Sequence, residues 1–271
     1  MNTNITFNNG NTIPAVGLGT FRIEDNDLAA KTVASAIEVG YRHIDTAAIY
    51  GNEEGVGRGM KDSEIPRNEL FLTTKIWNDD LRSGKIKEAM AVSLEKLGTD
   101  YVDMVLVHWP AGEYTEYWKL FEELYDEGLA KNIGVSNFTM RMLDKLLPVC
   151  RIKPVVNQVE RHPYFIQKPL LKYCDKKEIA LTAWSGFMVG ELLNKPDILG
   201  LAEKYGKTAA QIIQRWNYQN GVISIPKSIN PDRMKENIDI FDFNISFEDM
   251  KYIDTFDKNM RKGPNPENFN F

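Results

Sequence analysis

A chain of 271 residues, 43% hydrophobic and 26% charged, has the composition of an ordinary globular protein and is long enough to bury a large core. Its formal charge of −5 and its sequence pI near 5.4 weigh against nucleic acid or an anionic membrane as the main partner. No apolar run approaches the roughly 20 residues of a membrane span. The start, "MNTNITFNNG", lacks the basic and apolar stretches of a signal peptide, and Cys150 and Cys174 follow no CxxC or zinc spacing, so a cytoplasmic protein with inert thiols is expected.

In chain order, "ITFNNGNTI" alternates around Asn-Gly and predicts a hairpin that covers the N-terminal end of the strands after it. Short apolar runs then alternate with amphipathic stretches of helical period. "AVGLGT" precedes "NDLAAKTVASAIEVG", "YRHIDT" precedes "NEEGVGRGMK", and "LFLTTKI" precedes "SGKIKEAMAVSLEKLG". "YVDMVLVHW" leads into "TEYWKLFEELYDEG", "AKNIGVSNF" into "MRMLDKLLPVC", and "PVVNQVE" into "PLLKYCDKKE". "IALTAWSGF" is followed by "LGLAEKYG" and "AAQIIQRWNYQNG", and "VISIPKS" by "NPDRMKENI". Eight nearly continuous apolar runs, each with a following helix, read as strands covered on both faces. They predict an α/β fold, a (β/α)₈ TIM barrel in a single domain over 1–271, with a doubly wound open sheet as the alternative. The polar, proline-bearing end "DKNMRKGPNPENFNF" is expected to lie as a tail over the active-site face.

Barrel enzymes build their sites where the strands end. The residues there are Asp45, Lys75, His108, Ser136 with Asn137, Gln158, Trp184 and Lys227, one group per run from the second to the eighth. Each alone has a bland reading, as a cap, a solvated lysine or a structural histidine. Together they make chemical sense. A buried carboxylate at Asp45 needs a partner, and Lys75 beside it can stay charged because the acid offsets its desolvation. The ammonium then favours the Tyr50 anion, bringing that phenol from its ordinary pKa of about 10 toward the range useful for general acid catalysis. His108 can hydrogen-bond the oxygen that Tyr50 protonates.

These residues sit in "HIDTAAIYGNE", "TTKIW", "VDMVLVHWP", "KNIGVSNF", "VVNQVERHPY", "LTAWS", "IPKS" with "RMKEN", and "GPNPENFNF". In that order, over nearly the whole chain, they resemble the aldo-keto reductases, chiefly the small bacterial and fungal 2,5-diketogluconate reductase and prostaglandin F synthase-like members. The resemblance implies a catalytic tetrad of Asp45, Tyr50, Lys75 and His108. It implies a nicotinamide carboxamide held by Ser136, Asn137 and Gln158, with Trp184 stacked on the ring and Thr20 and Ser185 also at the cofactor. Lys227, Ser228, Arg233, Glu236 and Asn237 would meet the adenosine 2′-phosphate and adenine. Phe21, Ala48, Trp77, His108 and Trp109 would line an apolar substrate pocket. One departure stands out: "SGFMVG" puts Gly186 and Phe187 where relatives carry Pro-Leu, which implies a more mobile loop over the cofactor pyrophosphate.

Other patterns compete less well. "GVGRG" loosely resembles a dinucleotide fingerprint but lies inside a helical pattern, and His43 with Asp45 shares a strand face without further ligand spacing. "RHP" at 161–163 reads as structural. The function expected is therefore NADPH-dependent reduction of aldehydes or ketones to alcohols, with a small-molecule carbonyl substrate, no nucleic acid, no membrane and no metal, in a monomer. A non-catalytic nucleotide-sensing barrel is the alternative, and a metal-assisted hydrolase suffers from the scarcity of histidine.

Overall fold

The computed structural model describes residues 3–271. The hairpin forms as expected. β1 (Asn4–Thr6) and β2 (Thr12–Pro14) pair antiparallel, and Gly10, at φ 85°, lets the connection turn back so that Phe7 N donates to Asn11 O at 2.8 Å. Its buried face packs Phe7 and Ile13 with Phe71, Met104 and Val156, which begin strands β5, β6 and β8. The hairpin thus seals the N-terminal end of the sheet behind it.

That sheet has eight parallel strands in strict chain order: β3 (Leu18–Gly19), β4 (His43–Asp45), β5 (Phe71–Ile76), β6 (Met104–Val107), β7 (Ile133–Ser136), β8 (Val156–Glu160), β9 (Ala180–Trp184) and β10 (Val222–Ser224). A parallel bridge between Val16 and Ser224 joins the first segment to the last. Around it Gly17 N donates to Ser224 O at 2.8 Å and Gly19 N to Pro226 O at 3.1 Å. Closure with no reversal of strand order makes a barrel and sets the open-sheet alternative aside.

Helices cover the outside: α1 (Asn26–Glu38), α2 (Glu53–Asp62), α3 (Asn78–Ser83), α4 (Ile86–Leu97), α5 (Tyr114–Asp126), α6 (Met140–Leu146), α7 (Lys168–Lys176), α8 (Pro196–Tyr205), α9 (Ala209–Gln219), α10 (Pro231–Ile238) and α11 (Phe247–Asp254). Two lie outside the expected series. The single turn-and-a-half of α3 is too short to show a period, and α11 declares itself only by its cap, Ser246, whose side chain accepts from Asp249 N. The glycines of "GVGRG" prove to be packing residues within α2. A Cβ at Gly55 would lie 2.3 Å from Asn26 O, at Gly57 2.3 Å from Leu97 O, and at Gly59 2.5 Å from Ala30 O, so their absence of side chains lets α2 lie flush on its neighbours.

Candidate active site

The strand ends expected to converge do converge. Lys75, fully buried in β5, donates from Nζ to Asp45 Oδ1 at 2.5 Å and to Thr46 O at 2.8 Å, and lies 3.4 Å from the Tyr50 hydroxyl. Tyr50 is delivered by a single 3₁₀ turn, Ala48–Tyr50, which Gly51 ends at φ 69°. The His108 ring meets the Tyr50 ring edge to face at 5.6 Å. Asp45, Tyr50, Lys75 and His108 thus form one contiguous group.

The electrostatics follow from burial and from one neutralising pair. Burial pulls the Lys75 pKa down, but attraction to Asp45 and Tyr50 and the hydrogen bonds to both outweigh it and hold the ammonium above its ordinary range. For Tyr50 the sequence-based expectation needs correcting. Burial of the hydroxyl raises its pKa, and Lys75 only partly offsets that, so the phenol sits above its ordinary value and not below it. Tyr50 therefore carries its proton throughout the neutral range. His108 is pushed well below its usual pKa, first by burial and then by Lys75, so it is a neutral imidazole, and its Nδ1 is buried without a hydrogen-bond partner. His43 is likewise neutral, its pKa driven by burial to about 4, and its ring presses on Gly17, where a Cβ would come within 2.3 Å of Nδ1; it is a packed core histidine.

A surrounding set of polar contacts fixes this group. Gln158 Nε2 donates to Asp45 Oδ2 at 2.7 Å, so one carboxylate oxygen faces the lysine and the other the amide. Ser136 Oγ donates to Gln158 O at 2.7 Å, Asn137 Nδ2 to His108 O at 3.0 Å, and Trp184 Nε1 to Asn137 Oδ1 at 3.0 Å. Ser136, Asn137, Gln158 and Trp184, the group expected at the nicotinamide, are one connected network that also orients the tetrad. Thr20 bonds to Asp45 O through both its N and its Oγ1. Asn52, unremarked in the sequence, is wholly buried; it accepts from Thr46 Oγ1 at 2.7 Å and donates to Thr20 O and Ile23 O at 2.9 Å each. The only sequence signal for it was its place between Gly51 and the start of α2.

The mouth is aromatic. Phe21 lies against Tyr50 at 5.1 Å and Trp77 against His108 at 5.1 Å, and half-buried Ala48 begins the turn that carries Tyr50. The tail adds two rings that sequence reasoning did not place: Phe269 packs on Trp109 at 5.2 Å, and Phe271 stacks on Trp77 at 5.8 Å with the planes 7° apart. Asn78 Nδ2 and Arg82 Nη2 both donate to Phe271 O, at 3.0 and 2.6 Å.

Beyond β10, Lys227 is exposed and Ser228 buried, and Asn230 caps α10 by accepting from Arg233 N at 3.0 Å. Among the described residues no carboxylate pairs with Lys227 or with exposed Arg233, which leaves two free cations beside one helix start. Glu236 Oε1 accepts from Thr208 Oγ1 at 2.6 Å, and Asn237 is buried on the same helix. The loop after Trp184 bends sharply, with Ser185 (φ 56°), Met188 (φ 49°) and Val189 (φ 58°) in the left-handed region. Gly186 does not need to be glycine, since a Cβ there would meet nothing within 4 Å, and Phe187 packs into the apolar cluster around Met188 and Leu192.

The model of the aldo/keto reductase family matches residues 15–258. A glyoxal reductase of Bacillus subtilis (strain 168) is 48% identical over 268 residues, covering 98% of this chain and 97% of that protein. The methylglyoxal reductase DkgA of Escherichia coli (strain K12) is 42% identical over 272 residues, covering 98% of each. The crystal structure of a Bombyx mori aldo-keto reductase in complex with NADP superposes with a TM-score of 0.92 at 38% identity, covering 97% of this chain and 95% of that one.

Proposed function

The chain belongs to the aldo/keto reductase family, and from that premise we propose that it reduces the carbonyl of short aldehydes and ketones with NADPH, using Tyr50 as the general acid. The observation that carries the roles is the buried chain Gln158–Asp45–Lys75–Tyr50, with its 2.5 Å ion pair and a protonated phenol at its open end. The residues present fit the cofactor. Trp184 is half-exposed and locked by Asn137, as a platform for a flat ring requires, and the unpaired Lys227 and Arg233 offer charge for a phosphate.

When bound, the nicotinamide supplies the hydride that adds to the carbonyl carbon. Tyr50 gives its proton to the carbonyl oxygen, and Lys75 stabilises the phenolate left behind, which solvent reprotonates. His108, being neutral, orients that oxygen by a hydrogen bond without competing for the proton. Asp45 keeps Lys75 charged and aimed. The crowd of rings at the mouth favours small substrates, and the substrates in the names of the two bacterial reductases, glyoxal and methylglyoxal, are the class to test first. Loss of NADPH absorbance on adding methylglyoxal and a panel of longer aldehydes, compared by kcat/KM, tests the reading; no oxidation with any carbonyl would sink it and leave the nucleotide-sensing alternative.

Cofactor preference follows from the free cations after β10. Arg233 can present a planar fork and Lys227 a point charge to the 2′-phosphate that separates NADPH from NADH. Losing one partner of such a contact costs about 2 to 5 kcal/mol when desolvated and less where water reaches it, as at exposed Arg233. Arg233→Ala is therefore expected to weaken NADPH at least about tenfold by fluorescence titration and to leave NADH nearly unchanged. Equal weakening of both would place the side chain on the shared adenosine.

A further inference from the structure

Glu160 ends β8 with its side chain wholly buried, two residues past Gln158, in a place the reaction does not require a carboxylate. Its Oε1 accepts from Lys262 N at 2.6 Å and lies 3.1 Å from His162 Nε2, and its Oε2 accepts from Gly263 N at 3.0 Å. Burial alone would raise its pKa, but His162 and the two amides win and hold it below the ordinary glutamate range, so the group is a carboxylate. Both amides belong to the tail. A Cβ on Gly263 would stand 2.4 Å from Cη2 of Trp184, so the dipeptide Lys262–Gly263 is clamped between a buried anion and the benzo edge of that ring.

Two arms leave this clamp. Lys262 Nζ forms an ion pair with Glu191, on the loop that follows Trp184. Downstream, the same strand of tail places Phe269 on Trp109 and Phe271 on Trp77. Upstream, the tail is held separately: Lys258 N and Met260 N donate to Tyr164 O at 3.0 and 3.1 Å, and Arg261 lies over the Phe165 ring at 4.4 Å. Further along, Glu267 accepts from Thr139 Oγ1 at 2.7 Å and pairs with Arg141, and Asn78 and Arg82 hold the Phe271 carbonyl, so loss of Glu160 would loosen the tail at 262–263 and shift both arms while its flanks stay seated.

We propose that Glu160 is a positioning residue that serves cofactor and substrate together, by fixing Lys262–Gly263 so that one arm latches the loop over the cofactor and the other sets the aromatic wall of the mouth. This rests on the reading of Trp184 as the nicotinamide platform. Glu160→Gln keeps the shape but loses the charge and one of the two acceptor oxygens.

In the free protein, the Lys262 and Gly263 amides of Glu160→Gln should exchange hydrogen at least about tenfold faster. The NADPH Kd and the carbonyl KM should each rise about tenfold. The single-turnover rate at saturation of both ligands should stay within about twofold, because Tyr50 and Lys75 are untouched. Lys262→Met cuts only the cofactor arm, and should raise the NADPH dissociation rate about threefold, as befits an exposed pair, with KM for the carbonyl unchanged. Should Glu160→Gln not fold, Gly263→Ala carries the test through a shifted tryptophan emission together with raised Kd and KM.

Faster exchange with unchanged Kd and KM would show a merely structural clamp and overturn the proposal. So would a loss confined to the single-turnover rate. A wild type that binds no NADPH would overturn the functional reading and this proposal with it, whereas a wild type that binds and turns over beside an unaffected Glu160→Gln overturns the clamp alone.

Discussion

Tyr50→Phe is expected to keep its fold and its NADPH affinity while losing about 10² to 10⁴-fold in kcat, the usual worth of a positioned general acid. The substitution removes one oxygen. The ring keeps its contacts with Phe21 and His108, and Lys75 keeps Asp45 Oδ1 and Thr46 O, so the ion pair is not orphaned. Because the wild-type phenol lies above its ordinary pKa, kcat should be flat through neutrality, and the loss of activity that follows its deprotonation should fall only on the far alkaline side. Stopped-flow turnover of both proteins with a common aldehyde checks it; a variant retaining more than about a tenth of wild-type kcat would refute the assignment.

Asp45→Asn is expected to lose both activity and stability. The wild-type pair is buried on both sides, 0% and 2% exposed, and removing one partner of such a pair costs about 3 to 5 kcal/mol because the remaining charge is left unbalanced. The sign of the pH dependence distinguishes this from simple loss of a contact. In the wild type Lys75 titrates above its unfolded value, so its contribution is complete below that value, about 10.5, and is lost only as pH rises through the higher folded one. In the variant, burial acts without the acid and takes the folded pKa below the unfolded one. The penalty is then full at low pH and relieved as pH climbs. Melting temperature measured from about pH 6 to pH 9 should show the deficit of the variant shrinking toward the alkaline end. A deficit independent of pH would mean that Asp45 acts by shape and not by charge.

Much of the barrel was legible because its signals are local. Runs such as "MVLV" and "IGV", repeated between helical stretches, are apolar on both faces as covered parallel strands are, and Asp45, Lys75, His108 and Gln158 stand at the ends of such runs. What stayed hidden depends on elements distant in the chain. Nothing near Gln158 announces that its amide reaches Asp45, since the two meet only when β8 and β4 face each other across the barrel mouth. Phe269 and Phe271 belong to a tail with no period of its own, and their place is set by Trp109 and Trp77 and by Asn78 and Arg82, which hold the Phe271 carbonyl. The direction of the Tyr50 shift was misread because sequence shows the neighbouring lysine but not that burial outweighs it. Helix α3, at six residues, is too short for a helical pattern to repeat.

The narrow seam between residues 16–19 and 222–226 bears on how the molecule is assembled and held. It joins the two ends of the barrel sequence through a few amides, those of Gly17, Gly19 and Ser224, while the other strand pairs are made between near neighbours in the chain. Closing so long a loop for so few bonds is the step with the highest entropic cost per contact, so it belongs late in folding and early in native-state opening. Lys227 and Ser228 follow directly on one side of that seam, and Thr20, bonded to the Asp45 carbonyl, on the other. A dinucleotide lying across both would staple the junction, and by mass action would slow hydrogen exchange of those three amides more than that of the β5–β6 ladder.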